Sequence, residues 1–173
     1  MKHFIICLLS AYVILFSNII SGQEVLQWGG PDRSGVYHET GLLKSWPDAG
    51  PELLWEFGDL GNGYGSPVIK NKYIFVNGEV DTVSYLFALD LLGKYQWKSK
   101  IGKEWTRSYP GSRSTPTVVN DLVYVTAGWG EVACLEAGTG KARWSVNMIA
   151  DFHGAAPRFG FSESVLVDDP MDR

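Results

Sequence analysis

The strongest constraint on the fold is a phrase that occurs twice in this chain and begins a third time. The first copy opens at Ser66 and the second at Thr115, which lies 49 residues further along. A third copy opens at Ser164. A repeat of this period is typical of solenoids, arrays and propellers, because each unit buries its faces only against its neighbours.

Each copy predicts four short strands, since β-branched and aromatic runs alternate with turn residues and no helical periodicity occurs. In the first copy the predicted strands cover 68–69, 73–76 and 85–89, with a fourth beginning at 95–97. The second copy repeats them at 117–118, 122–125, 131–135 and 143–145. Tight hairpin turns are predicted at Asn71-Lys72, Asn120-Asp121 and Asp168-Asp169. Four antiparallel strands per unit predict an all-β propeller of four-stranded blades.

Two tryptophans occupy equal places in the two copies. Trp97 and Trp144 each follow a Gly-Lys turn, and they lie 47 residues apart. Large aromatic side chains contribute much of the buried area in a core. We therefore expect both rings to be buried as wedges between neighbouring blades.

These residues carry a family resemblance. The run from Ala88 to Trp97, and the run from Cys134 to Trp144 with its Thr139-Gly140-Lys141, resemble the tryptophan-docking motif of quinoprotein-like propellers. The opening run 27–35, followed by 41–47, is similar to secreted pyrroloquinoline-quinone-like (PQQ-like) repeat proteins. The resemblance implies a ring of about eight blades, within the range for closed propellers. Two units and part of a third fall short of such a ring, so we expect a fragment of a longer propeller, or a ring completed by other chains.

The start of the chain predicts export. Lys2 precedes an apolar stretch from Phe4 to Phe16, and the small residues Ser21-Gly22 follow, which is the order of a secretory signal peptide. The alternative is an uncleaved membrane anchor, but the stretch is shorter than the ~20 apolar residues that a span needs. We therefore divide the chain into a signal peptide (1–22), an N-terminal arm (23–50) and a partial propeller (51–173), with a periplasmic or extracellular location.

Charge and cysteine content exclude some classes of partner and site. Without Lys2, 14 basic residues remain against 19 acidic ones, a formal charge of about −5. This argues against nucleic acid, which requires a basic patch. After signal removal no stretch is apolar for long enough to span a membrane, and Cys134 is the one remaining cysteine. Because Cys134 takes the repeat position of Ala88, we expect it to be a small core residue.

Residues that differ between the copies are the candidates for a binding site. The segments that lead into the first strand of each unit contain Tyr64, Arg113 and Glu163, and the loop before the third copy adds Arg158. We expect these four side chains to line the mouth of a funnel, where planar cations and aromatic rings suit a carboxylate, a sugar or a quinone. The alternative is that they are loop residues which form hydrogen bonds between blades.

The sequence leaves two functions open. One is a non-catalytic binding or scaffold module of the cell envelope, whose partner is an envelope protein or a small molecule. The other is part of a PQQ-dependent alcohol dehydrogenase, which the family resemblance implies. No catalytic set and no metal site can be assigned, since only His38 and His153 accompany Cys134 in the mature chain. Bound PQQ and calcium would therefore require ligands from further blades.

Overall fold

The computed structural model of this protein describes residues 24–168. The predicted signal peptide lies outside the described residues, as do Asp169 and the residues after it. Within 24–168 no helix is long and apolar enough to cross a membrane.

The described chain contains two antiparallel sheets, each of four strands that follow one another in chain order. The strands of the first sheet are β1 (Val68–Lys70), β2 (Tyr73–Val80), β3 (Val83–Asp90) and β4 (Tyr95–Lys103). Those of the second sheet are β5 (Thr117–Val119), β6 (Leu122–Thr126), β7 (Glu131–Glu136) and β8 (Ala142–Asn147). The all-β prediction of four-stranded antiparallel units is therefore confirmed.

The two sheets share one register. In the first sheet Ala88 lies opposite both Phe75 and Trp97, and in the second Cys134 lies opposite both Tyr124 and Trp144. Each sheet also has a register shift directly after this position, before Leu89 and Leu135 respectively. The sheets are thus two copies of one blade, as the repeat predicted.

Cys134 belongs to the core, as its repeat position indicated. The residue is only 1% exposed, and burial raises the pKa of its thiol. A raised pKa keeps a thiol protonated, and the protonated form is neither nucleophile nor metal ligand. The prediction of a small structural residue is confirmed.

The hairpin turns at the ends of β1 and β5 have the predicted chemistry. Asn71 and Asn120 adopt left-handed backbone conformations, with φ of +53° and +52°. Asparagine tolerates this region better than most residues because its short side chain bonds locally to the backbone. In the third copy residues 164–167 form no strand, and the predicted turn at Asp168-Asp169 extends beyond the described residues.

The hydrophobic core lies between the two sheets. Phe75 and Leu86 from the first sheet pack in one cluster with Val123, Val125 and Leu135 from the second. All five side chains are buried, so each sheet covers a face that the other would expose to water.

The predicted tryptophan wedges differ in their surroundings. Trp97 packs against the core cluster, with its ring centroid 5.8 Å from that of Phe75. Its indole N–H donates to the carbonyl of Ala137, directly after β7. Trp144 is 45% exposed, with its ring 6.1 Å from that of Tyr124. The expectation that Trp144 is buried is therefore wrong for the described residues, because no sheet there follows β8.

Candidate functional site

A ladder of hydrogen bonds joins the segments that lead into each repeat. The backbone N–H of Ser66 donates to Oγ1 of Thr115, and the N–H of Thr115 donates to Oγ of Ser164, each at 3.0 Å. Both bonds join residues 49 positions apart, which is the repeat period. This Ser66–Thr115–Ser164 ladder places the three entry segments side by side.

The N-terminal arm crosses the same region. Val25 forms two backbone hydrogen bonds with Ile69, at 3.0 and 2.7 Å, and the carbonyl of Leu26 accepts from the N–H of Val118. Further along, the Arg33 guanidinium donates to the carbonyl oxygens of Ser164 (3.5 Å) and Val165 (2.6 Å). One short segment therefore ties together both sheets and the start of the third copy.

A pocket of about 330 Å³ lies beside the ladder, and we call it the ladder pocket. It is lined by residues from the arm and from all three entry segments: Trp28, Arg33, Tyr64, Ser66, Arg113, Thr115, Ser162, Glu163 and Ser164. The structure thus brings together three of the four predicted funnel residues, Tyr64, Arg113 and Glu163. Arg158 lies elsewhere.

The Arg113 side chain is held firmly by its own loop. Its guanidinium donates to the carbonyl oxygens of Ser108 (2.9 Å), Tyr109 (2.5 Å) and Gly111 (3.4 Å). It also lies 5.8 Å from the ring centroid of Tyr64, within the range of a cation–π contact. A guanidinium carries five N–H donors, so Arg113 retains capacity for a further acceptor.

The ladder pocket is lined by two cations, Arg33 and Arg113, and one carboxylate. Within residues 24–168 the two salt bridges join Lys70 to Glu24 and Arg143 to Glu136, and neither involves Arg33 or Arg113. The carboxylate that lines the pocket belongs to Glu163, which accepts a 2.9 Å bond from the N–H of Ser162. Two guanidiniums bound to neutral oxygens make this pocket suited to an anion.

A buried polar network links the first sheet to the loop that precedes β5. The Glu104 carboxylate, 1% exposed, accepts 2.8 Å bonds from the Trp105 N–H and the Ser112 hydroxyl. The hydroxyls of Ser112 and Ser84 lie 3.3 Å apart, and Ser84 donates to Asn77. Burial raises the pKa of Glu104, while the two bonds and the charge of Arg113 act in the opposite direction. Asn77 also donates a 3.3 Å bond to the carbonyl of Thr126 in β6, so the network joins the two sheets.

A second, more open depression adjoins the ladder pocket. It comprises two parts of about 470 and 440 Å³ that share Phe159. One part is lined by Tyr64, Tyr109, Arg113 and Phe159, and the other by Trp105, Arg107, Ser108, Ala156, Pro157, Arg158 and Phe159. We call this depression the outer groove, and it contains the fourth predicted funnel residue, Arg158.

Sequence reasoning missed the contribution of the arm. Trp28 and Arg33 belong to a segment outside the repeat, so no alignment of copies could place them beside Arg113. A weak signal was present, since both residues stand in the opening run 27–35 that resembles secreted PQQ-like proteins. Among residues 24–168, no group of three or more His, Cys, Asp and Glu side chains could hold a metal ion.

Comparison with known families agrees with the fold. Residues 84–169 match a family model of PQQ-like repeats described as outer membrane protein assembly factor BamB. Over this range the chain is similar to the PQQ-like repeat family. The matched range runs from β3 to the start of the third copy. The similarity therefore lies in the repeat units and does not include the N-terminal arm.

Comparisons with solved structures and with curated proteins add little to this family match. The chain is similar to a europium-containing methanol dehydrogenase, with 21% identity and a TM-score of 0.42. The match covers 56% of this chain and 18% of that chain, so the chain spans less than a fifth of that dehydrogenase's length. No curated protein matches.

Proposed function

We propose that this chain forms part of an exported PQQ-like propeller that acts as a non-catalytic binding module of the cell envelope. Its ligand at the ladder pocket is a small molecule that carries a carboxylate. The observation that supports this most directly is the pairing of Arg33 and Arg113 around a pocket of about 330 Å³. Guanidiniums bind carboxylates through two parallel hydrogen bonds, which gives both affinity and orientation.

Aromatic side chains complete the binding surface. Trp28 and Tyr64 line the same pocket and are 58% and 64% exposed. Planar rings beside guanidiniums suit a flat or ring-shaped ligand, because the ring faces bury apolar area while the cations hold its acidic groups. Pre-formed hydrogen bonds to Arg33 and Arg113 reduce the cost of ordering these side chains on binding.

Two features support the location and the scaffold role. The apolar stretch from Phe4 to Phe16 with its basic end has the order of a signal peptide. The matched family is described as an outer membrane protein assembly factor, which belongs to the cell envelope. The repeated residues of this chain are those that hold blades together, and a rigid blade surface is what a scaffold provides.

The alternative is a PQQ-dependent alcohol dehydrogenase, and the described residues fit it only in part. The two guanidiniums would suit the carboxylates of the quinone. Calcium takes six to eight oxygen ligands, whereas Glu163 is the one carboxylate side chain from residues 24–168 that lines the ladder pocket. These residues alone do not make a calcium site, and we derive no redox step from them.

Isothermal titration of the full-length protein with citrate and with PQQ tests the binding role. We expect saturable binding of at least one of them, weakened about tenfold or more by Arg33→Gln, because one charge-assisted pair is lost. Lys44→Gln removes an exposed cation of the same arm that does not line the pocket and serves as the matched control. Absence of binding, or equal loss in both variants, would contradict the proposal.

A second assay separates binding from catalysis. PQQ and calcium are added to the full-length protein with an alcohol and an artificial electron-accepting dye. We expect no dye reduction above a protein-free control. Calcium-dependent dye reduction that requires the alcohol would overturn the non-catalytic role and favour the dehydrogenase.

A further inference from the structure

We propose that the outer groove is a separate binding site for an acidic oligosaccharide, a glycan whose sugar rings carry carboxylate or sulfate groups. The proposal concerns a different ligand from that of the ladder pocket. Tyr64 and Arg113 line both sites, so the two proposals are distinguished by residues that line only one of them: Arg33 for the ladder pocket, and Arg107 with Arg158 for the outer groove.

The charge of the groove supports an anionic ligand. Arg107 and Arg158 line it and are exposed, and Lys103 lies beside Arg107 over the same Trp129 ring. None of these three cations takes part in either salt bridge of residues 24–168. Within residues 24–168, two exposed guanidiniums without a salt bridge therefore line the groove. Guanidiniums match carboxylate and sulfate oxygens with paired donors.

The cations are held in place by aromatic rings. The Arg107 guanidinium lies 4.8 Å from the Trp129 centroid and 5.3 Å from that of Trp105, and these two rings are 5.0 Å apart. Trp105 is 4% exposed and donates its indole N–H to the Ser108 hydroxyl. A cation fixed on a buried support loses little side-chain freedom when a ligand binds.

The open rings of the groove suit sugars. Tyr109 is 73% exposed, Tyr64 64% and Phe159 50%. The faces of a pyranose ring are largely C–H groups, so stacking them on these rings buries apolar area from both partners. Tyr109 has a left-handed backbone (φ +48°), and Arg113 bonds its carbonyl. The Arg113 bond thus ties the Tyr109 backbone to the groove.

An extended acidic peptide is the competing ligand, and the groove fits it less well. Every lining residue lies outside strands β1 to β8. The groove therefore offers no strand edge for β-augmentation, the usual source of main-chain affinity for extended peptides. Exposed rings beside guanidiniums instead offer what a charged sugar needs, a flat apolar surface and a partner for its acidic group.

The test is isothermal titration of the full-length protein with four probes of similar length. These are oligogalacturonate, a heparin-derived oligosaccharide, a neutral malto-oligosaccharide and oligo-glutamate. We expect one or both acidic glycans to bind, more weakly at high salt, and to exceed the neutral glycan and the peptide by about tenfold or more. The better of the two acidic glycans identifies the charged group as carboxylate or sulfate.

Variants assign the binding to the groove. Arg107→Gln with Arg158→Gln, and separately Tyr109→Ala, should each weaken binding of the acidic glycan about tenfold or more. Lys100→Gln and Phe152→Ala remove an exposed cation and an exposed ring outside the groove, and each should leave the affinity unchanged. Thermal melts verify that all variants are folded. Failure of both acidic glycans to bind, equal binding of oligo-glutamate, or affinity unchanged in the groove variants would overturn the proposal.

Discussion

The indole N–H of Trp97 in β4 donates a 3.2 Å hydrogen bond to the carbonyl oxygen of Ala137, which lies in the turn between β7 and β8. Trp55, in the segment before the first sheet, repeats this contact with the carbonyl of Leu91 in the turn between β3 and β4, at 3.1 Å. In each case the ring covers a turn glycine, Gly140 under Trp97 and Gly93 under Trp55. The docking contact is therefore a property of the repeat. Trp55 makes it although this residue precedes β1.

Replacing Trp97 with Ala should lower the free energy of unfolding by about 3 kcal/mol, because the ring is partly buried between the sheets and its loss leaves a cavity. Urea denaturation of the full-length protein measures this. Trp46→Ala is the control, since Trp46 is 67% exposed and should change stability by less than about 0.5 kcal/mol. A loss below about 1 kcal/mol for Trp97→Ala would show that the ring does not join the sheets in solution.

Gly140 and Gly138 occupy the same turn and should respond oppositely to alanine. A Cβ at Gly140 would lie 2.5 Å from the Trp97 ring, and its φ of +71° disfavours any L side chain. Gly140→Ala should therefore destabilise by about 2–4 kcal/mol. A Cβ at Gly138 meets nothing within 4 Å, so Gly138→Ala should be neutral or stabilise by up to about 1 kcal/mol. Equal thermal shifts for the two variants would contradict the docked geometry.

The sequence predicted the two blades well, because residues at equal positions of the repeat have the same packing role in each unit. Alignment of the copies placed Cys134 with Ala88, and in the structure the two residues have equivalent cross-strand neighbours, an aromatic residue on one side and a tryptophan on the other. It also brought Tyr64, Arg113 and Glu163 together, since residues one period apart stand side by side. Arg158 was misplaced because its loop has no counterpart of equal length in the first copies.

Other features could not be predicted, because no repeat signal carries them. The arm residues Trp28 and Arg33 reach the ladder pocket through long-range contacts that no spacing rule encodes. Trp55 precedes Trp97 by 42 residues, whereas Trp97 precedes Trp144 by 47. Because the two spacings differ, the docking role of Trp55 was missed. The buried Glu104 accepts bonds from Trp105 and Ser112, and only the folded loop places the Ser112 hydroxyl at this carboxylate.

The ladder bond of Thr115 should contribute measurably to stability. Thr115→Val keeps the shape of the side chain but removes the oxygen that accepts the Ser66 N–H. The orphaned donor belongs to Ser66, which is exposed, so water can partly replace the lost acceptor and the loss should be about 0.5–1 kcal/mol. Thr40→Val, at an exposed arm position, should change stability by less than about 0.5 kcal/mol. Chemical denaturation of both variants provides the comparison, and indistinguishable midpoints would exclude the ladder bond as a stabilising contact.

Glu104 should make the protein less stable as the pH rises. Because burial raises the pKa of this carboxyl in the folded state, the folded chain retains a proton that the unfolded chain has already released. The stabilisation that Glu104 contributes is therefore fully present below pH 4.5, the ordinary pKa of a glutamate. It is lost as the pH rises from there through the raised pKa of the folded state. Glu104→Gln cannot titrate and keeps a side-chain oxygen for the Trp105 N–H, so its stability should vary less over this window. Denaturant midpoints of both proteins from pH 4 upward provide the comparison, with Glu56→Gln as an exposed carboxylate control. A variant whose midpoint falls as steeply as that of the original protein would place the responsible proton on another group.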